Sequence, residues 1–214
     1  MASENILEEI AAEIAQCTKC PLSQSRKNTV PGEGPTDSEI MFIGEGPGFY
    51  ENEQGLPFVG PAGKFLDELL NNAGLKREQV YITNVLKCRP PGNRDPQEEE
   101  LNACRDYLER QIMAIKPKVI VTLGRHSMAR YFKDVKISMM HGQATWIKGQ
   151  LVVPMYHPAA GLHQPSLKAV IRKDFEMLPA YIQKARKANR SYDPFSEQQG
   201  TLNDHKDPTQ LSFF

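Results

Sequence analysis

The chain has 214 residues, 40% of them hydrophobic, with Lys+Arg 26 matched by Asp+Glu 26. That length suits one large domain with appendages, and a sizeable core can be buried. Near-average charge and hydrophobicity exclude wholesale disorder, and no apolar run approaches the roughly 20 residues of a membrane span. A formal net charge of zero argues against indiscriminate electrostatic binding to nucleic acid, although a local basic patch remains open.

The first residues, MASENILEEIAAEIA, are acidic and amphipathic, unlike a secretory leader with its basic start and apolar centre. Ile6, Leu7, Ile10 and Ile14 share one face of a helix that ends near the first cysteine pair. Residues 21–38 are rich in Pro, Gly, Ser and Thr and form a loop. EIMFIGEGPG is a short buried strand running into a glycine turn. The segment 61–73 carries Phe65, Leu66, Leu69 and Leu70 at helical spacing and stops near Gly74. VYITNVLK is a second strand, followed by a proline-rich loop and a helix from about Pro96 with Leu101, Cys104, Leu108 and Ile112 along one side. Pro117 resets the chain; KVIVTLG is a third strand and LVVPMYHP a fourth. Leu167, Val170, Ile171 and Leu178 predict a last helix over 166–183.

This alternation predicts a three-layer α/β/α sandwich around a mainly parallel four-stranded sheet. The domain is expected over residues 1–185, with 186–214 as a polar, flexible tail ending in QLSFF. Three unusual loops, GEGPG, KCRPPGNR and YHPAAG, follow strands one, two and four. In a parallel sheet those strand ends share one edge, so the three loops should converge on one site. His126, His141 and His163 have no comparable setting.

Cys17 and Cys20 form a C-x2-C pair, whereas Cys88 and Cys104 stand far from it and from each other. Four cysteines without an export signal point to thiolates in a cytoplasmic protein. Four converging thiolates suit zinc or an iron–sulfur cluster, and spacing alone leaves these two near parity.

Gly44-Glu45-Gly46-Pro47-Gly48 is not a dinucleotide fingerprint, because Phe49 stands where the last glycine is needed. Its continuation, GFYENEQGLPFVGPAGKFLDELL, combines with Asn84, His157-Pro158 and the four cysteines in order. This set resembles the family 4 uracil-DNA glycosylases over roughly residues 14–182. The resemblance implies that Cys17, Cys20, Cys88 and Cys104 hold a structural [4Fe-4S] cluster. It implies excision of uracil from single- or double-stranded DNA, with an abasic site as product. The related group that traps uracil covalently carries Arg-Arg-Ile-His after the second-strand motif; KCRPPGNRDPQEEE lacks it, so hydrolytic turnover is expected.

By the same resemblance Phe58 is the ring that stacks on the extruded base, and Asn84 the amide that reads it. The Asn84 carbonyl accepts from uracil N3–H while its NH2 donates to O4. Glu51 stands where the family blocks the thymine methyl, and Asn52 replaces a typical family acid one residue later. His157 is expected to hydrogen-bond uracil O2 as negative charge leaves with the base, assisted by the backbone N–H of Gly46. Glu45 is the candidate for positioning water or stabilising the sugar cation; the alternative is that it only orders its loop. Lys87, Arg89 and Arg94, with Lys168, Arg172 and Lys173 on the last helix, are the expected grip on DNA phosphates.

QLSFF, residues Gln210, Leu211, Ser212, Phe213 and Phe214, resembles the peptide with which bacterial proteins dock on the DNA sliding clamp. A cytoplasmic, nucleoid-associated bacterial monomer is expected. An iron–sulfur electron carrier and a catalytically inactive DNA- or clamp-binding adaptor are the alternatives.

Overall fold

IMFIG, VIVTL and QLVVPM are buried along their whole length. Strands apolar on both faces need cover from both sides, which is the hallmark of a parallel sheet between helix layers. The structure, a computed structural model, describes residues 3–188 together with Arg190 and Asp193. Its sheet comprises β1 Ile40–Gly44, β2 Tyr81–Asn84, β3 Val119–Leu123, β4 Thr145–Ile147 and β5 Gln150–Met155, in the order β2-β1-β3-β5-β4. The first four in that order run parallel, and β4 pairs antiparallel with β5 at the edge.

The sheet therefore has five strands where the sequence predicts four. β4 is only three residues long and joins β5 through Lys148 and Gly149, both at positive φ (51° and 81°). That pairing fits a two-residue hairpin turn of the primed type, but Lys-Gly is a weaker signal than Asn-Gly. Pro154 sits in β5 beyond the last residue paired to β4, so its missing N–H breaks no rung of that edge.

One face of the sheet is covered by α3 Pro61–Asn72, α8 Ser166–Glu176 and α9 Leu178–Ala188. Leu66, Leu69, Leu70, Ile171 and Phe175 pack there against Phe42, Val121 and Val153. The other face carries α4 Glu98–Ile115, whose Cys104, Leu108 and Ile112 meet Met41, Ile43, Ile120 and Val152. Outside α4 lies α1 Ser3–Gln16, seated through Ile10 and Ile14 on Tyr107, while Ile6 stays exposed. The predicted last helix is in fact two, broken at Met177, and α9 runs three residues past the expected domain boundary. Arg186, in that extra stretch, pairs with Glu39. Apart from Arg190, which lies over the Trp146 ring, and Asp193, whose N–H donates to the Lys148 carbonyl, the rest of the expected tail, QLSFF included, lies outside the described residues.

The chain leaves β1 for β2 on one side and returns to β3 on the other. Strand order reverses there, and the carboxyl ends of β1 and β3 frame the crevice where such sheets bind ligands.

Candidate active site

The loops at this edge are tied together by main chain. Val85 N–H donates to the Gly44 carbonyl and Leu86 N–H to that of Glu45, both at 3.0 Å, so the glycine turn and the loop after β2 advance as a pair. Gly124 N–H donates to the Met155 carbonyl at 2.8 Å and joins the ends of β3 and β5 likewise. Gly124 has φ +92°, and a side chain there would press on His157.

Asn84, Phe58 and His157 come together at the end of β1. The Phe58 and His157 rings stack, with centroids 5.5 Å apart and planes 25° from parallel. A Cβ on Gly44 would lie 2.3 Å from Asn84 Oδ1 and 2.8 Å from the Phe58 ring, so only glycine lets the strand end approach both. Asn84 is buried, and its Oδ1 is one of two buried side-chain polar atoms among the described residues without a hydrogen-bond partner; Thr122 Oγ1 is the other. A buried acceptor left empty costs free energy unless a donor arrives to fill it.

His157 caps the helix α7 Pro158–His163, with its Nδ1 accepting from Ala159 N–H at 3.1 Å. Nδ1 is thereby the acceptor nitrogen, and the neutral ring carries its proton on Nε2. The ring keeps some solvent contact at the pocket edge. Burial among protein atoms nonetheless pushes its pKa down to about 4, against an opposing pull from Glu51. The site thus holds a neutral imidazole with one N–H to donate.

The loop carrying Phe58 is clamped from two sides. Glu51, on α2 Phe49–Gln54, accepts from the N–H groups of Gly48 (3.0 Å), Val59 (2.9 Å) and Gly60 (2.9 Å). Arg77 donates to the carbonyls of Pro57 (2.6 Å) and Phe58 (3.3 Å) and to Asp67 (2.9 Å). Phe58 itself has φ +52°, a rare conformation for a bulky residue that persists only where surroundings impose it. Gly63 on α3 completes the clamp, since a Cβ there would fall 1.8 Å from the Phe58 carbonyl oxygen. Asn52 is buried and its Oδ1 accepts from Lys27 N–H at 3.0 Å, so this side chain anchors a neighbouring loop.

Glu45 faces a group that the sequence reading passed over. His126 on α5 Arg125–Met128 places Nε2 3.8 Å from Glu45 Oε2 and 3.6 Å from Asp95 Oδ1, and Asp95 pairs in turn with Arg125. The ligand atoms of Glu45, Asp95 and His126 lie within 4.8 Å of one another. Partial burial, assisted by Asp95, raises the Glu45 pKa, while His126 and Arg125 pull the other way. The signal was available: KVIVTLG is a strand of the same sheet, so the residues after it also belong to the site's edge. Arg77 and Asp95 carried no such signal.

The four cysteines are free thiols lining one small cavity, with Arg26, Lys87 and Tyr107 around it. Burial raises the pKa of Cys20 and Cys88 and pushes that of Cys104 up to about 11. Arg26 donates to Cys88 Sγ at 3.6 Å and to the carbonyls of Cys17 and Ala15. Four such sulfurs gathered in an enclosed space fit a cationic centre, because thiolates crowded there without one would repel and desolvate each other.

Two of the expected phosphate contacts are corrected by the structure. Lys87 is 1% exposed and turns inward, with Nζ against Thr83 Oγ1 (2.6 Å), Gln111 Oε1 (2.7 Å), the Asn84 carbonyl (2.9 Å) and the Pro31 carbonyl (3.3 Å). Burial lowers its pKa to about 7. Such an ammonium holds loops together and cannot reach DNA. Arg94 forms a two-pronged pair with the buried carboxylate of Glu100, at 2.6 and 3.0 Å, and bonds the Asp95 carbonyl. Arg172 is paired with Glu68 at 2.7 Å on the surface, Lys168 lies beside the Phe65 ring, and Arg89 bonds only Asn93 among side-chain acceptors.

An α/β/α sandwich with an unfilled amide and a neutral histidine at its switch point defines a class, and comparison with known proteins agrees with it. The family model described as the uracil DNA glycosylase superfamily matches residues 31–186. The type-4 uracil-DNA glycosylase of Saccharolobus solfataricus is 52% identical over 79% of this chain and 83% of its own length. That of Sulfurisphaera tokodaii is 49% identical over 80% and 83%, and that of Thermotoga maritima 43% over 85% and 97%. The chain belongs to the type-4 uracil-DNA glycosylases.

Gly44→Ala tests the close approach on which the pocket rests. The variant should remain folded by circular dichroism yet lose at least about 100-fold in turnover, as expected when pocket groups shift by about 1 Å.

Proposed function

We infer that the protein hydrolyses the N-glycosidic bond of uracil in DNA, releasing free uracil and leaving an abasic site for base-excision repair. The observation that carries this reading is the partnerless Asn84 Oδ1, buried at the end of β1 beside the Phe58 ring, which stacks in turn on the neutral His157. Uracil brings an N3–H donor to that oxygen, whereas cytosine presents an acceptor there. A base swung out of the stack needs an aromatic surface to replace its lost neighbours, and Phe58 supplies one.

As the glycosidic bond breaks, the sugar gains cationic character and the base leaves as an anion. The neutral His157 donates Nε2–H to uracil O2, where that charge gathers, with the Gly46 N–H assisting. Glu45 orients the attacking water or stabilises the sugar, and His126 sets its position. Glu51 stands as the wall against the thymine methyl. Its carboxylate is held by three N–H groups and cannot swing aside, and a wall must be rigid to exploit one methyl.

Cys17, Cys20, Cys88 and Cys104 would hold a [4Fe-4S] cluster. When bound it supplies a cross-link between the segment after α1, the loop after β2 and α4. Arg89, Lys168 and Arg172 would meet the DNA phosphates. The QLSFF peptide would tether the enzyme to the sliding clamp near replicating DNA in the bacterial cytoplasm.

Incubation with an oligonucleotide containing one uracil, followed by alkali, should give scission at uracil and none at thymine or cytosine. Asn84→Ala should lower kcat/KM by at least about tenfold, the loss expected for one hydrogen bond in a desolvated site. Equal scission by wild type and variant would remove Asn84 from the reading.

The pH profile separates the two titrating groups. His157 stays neutral until pH falls to about 4, so it places no limit on activity across the neutral range. Burial raises the Glu45 pKa from its ordinary value, so the acid-side fall in kcat should set in at a higher pH than for an exposed carboxylate, and Glu45→Gln should give a low, flat profile. Because the folded state holds the His157 pKa below its unfolded value of about 6.5, the unfolded chain binds the extra proton, and stability should fall as pH drops from about 6.5 towards 4. Thermal melts across that range check the sign.

Deleting residues 210–214 should abolish binding to an immobilised sliding clamp while leaving excision from short oligonucleotides intact. Unaltered clamp affinity would remove the tether.

A further inference from the structure

Phe49 and Tyr50 open α2, immediately after the glycine turn, and about half of each is exposed (51% and 50%). Neither joins any of the three apolar clusters of the described residues. Their rings stand edge to face, 85° apart with centroids at 5.5 Å, so the pair presents two differently oriented aromatic surfaces. Tyr50 is seated on Gly60: a Cβ there would lie 2.9 Å from its Cδ2. Gly60 is two residues from Phe58, and the same helix carries Glu51, so the platform and the pocket share one rigid frame. On the other side the Arg89 guanidinium lies 5.3 Å over the Phe49 ring, and it has no carboxylate partner among the described residues.

Two exposed aromatics beside an unneutralised cation, on the rim of a pocket that takes an extruded base, match what a nucleic-acid strand offers next. Single-stranded binding sites pair ring faces for bases with cations for the backbone. We propose that Phe49 and Tyr50 stack a base adjacent to the flipped uracil in the same strand, with Arg89 against the phosphate between them. This rests on the uracil-excision reading and adds a subsite to it. The flipped base leaves its neighbours unstacked, and the platform compensates for that loss outside the pocket. The helix is held from below through Glu51 and Asn52, so the two rings are free to serve a ligand.

The test is steady-state kinetics of the full chain on a single-stranded oligonucleotide containing one uracil, with free uracil as competitor. In Phe49→Ala/Tyr50→Ala, KM should rise about tenfold or more, the scale of one lost base–aromatic stack, while the inhibition constant for free uracil stays at the wild-type value. Phe49→Trp/Tyr50→Trp should keep the wild-type KM, and Phe49→Leu/Tyr50→Leu, apolar but without ring faces, should behave like the alanine pair. A second readout uses 2-aminopurine on either side of a 2′-fluorinated deoxyuridine that resists cleavage. Its fluorescence should fall on binding wild type through stacking, and fall less with the alanine pair. An unchanged KM in the alanine pair, or a rise in KM matched by an equal rise in the uracil inhibition constant, overturns the platform. Absence of uracil release by wild type would instead overturn the reading beneath it.

Discussion

The pocket depends on how closely the end of β1 can approach its neighbours. Gly44 terminates the strand with its Cα against the Asn84 amide and the Phe58 ring, a spacing no side chain would permit. The parallel ladder makes that contact possible. Gly44 pairs directly with Asn84 across β1 and β2, and the two loops beyond remain hydrogen-bonded to each other. Because β5 and β3 run the same way, their ends deliver His157 and His126 to the same edge. The candidate slot is then bordered by a strand end, a ring, an amide and a helix cap.

The charges around this slot mostly serve the protein's own loops. Glu51 and Arg77 grip the Phe58 segment from its N–H and carbonyl sides and hold Phe58 at a left-handed φ. Lys87 gathers four oxygens from β2, α4 and the loop at Pro31, and Arg94 neutralises the buried Glu100. A flipped base can be read only by groups that do not yield, so rigidity is the common product of these bonds. Burial also tunes the two candidate catalytic groups in opposite directions. It depresses His157 by penalising the imidazolium and raises Glu45 by penalising the carboxylate. The histidine is thereby kept as a hydrogen-bond donor that needs no proton from solvent.

Membership of the type-4 family fits the cysteine arrangement, in which an amino-terminal pair, a loop thiol and a helix thiol line one cavity. Residues more than 80 apart in the chain meet there. Beside that cavity, Ile10 and Ile14 seat α1 on Tyr107 of α4, the helix layer opposite the base pocket's α3. The resemblance puts a typical acid where this chain has Asn52. That side chain spends its amide oxygen on Lys27 N–H, a task that needs an acceptor but no charge.

Much was legible in the residues themselves. Apolar strands, helical spacing in 61–73 and the glycine, asparagine and histidine loops follow from local patterns, because burial periodicity and turn chemistry act over a few neighbours. The three-residue β4, the break at Met177 and the turn of α9 past residue 185 were not legible, since each is decided by what packs on it. The same holds for direction. Sequence placed Lys87 and Arg94 beside the motif loops but could not tell that one faces inward and the other a buried acid. His126 and Arg77 became visible only when strands and loops distant in the chain met. Residue types and their order thus determined the family, the layered architecture and the chemistry available. Tertiary structure decided which polar groups stay unpartnered for a ligand, because that depends on the distances left after every other group has found its own partner.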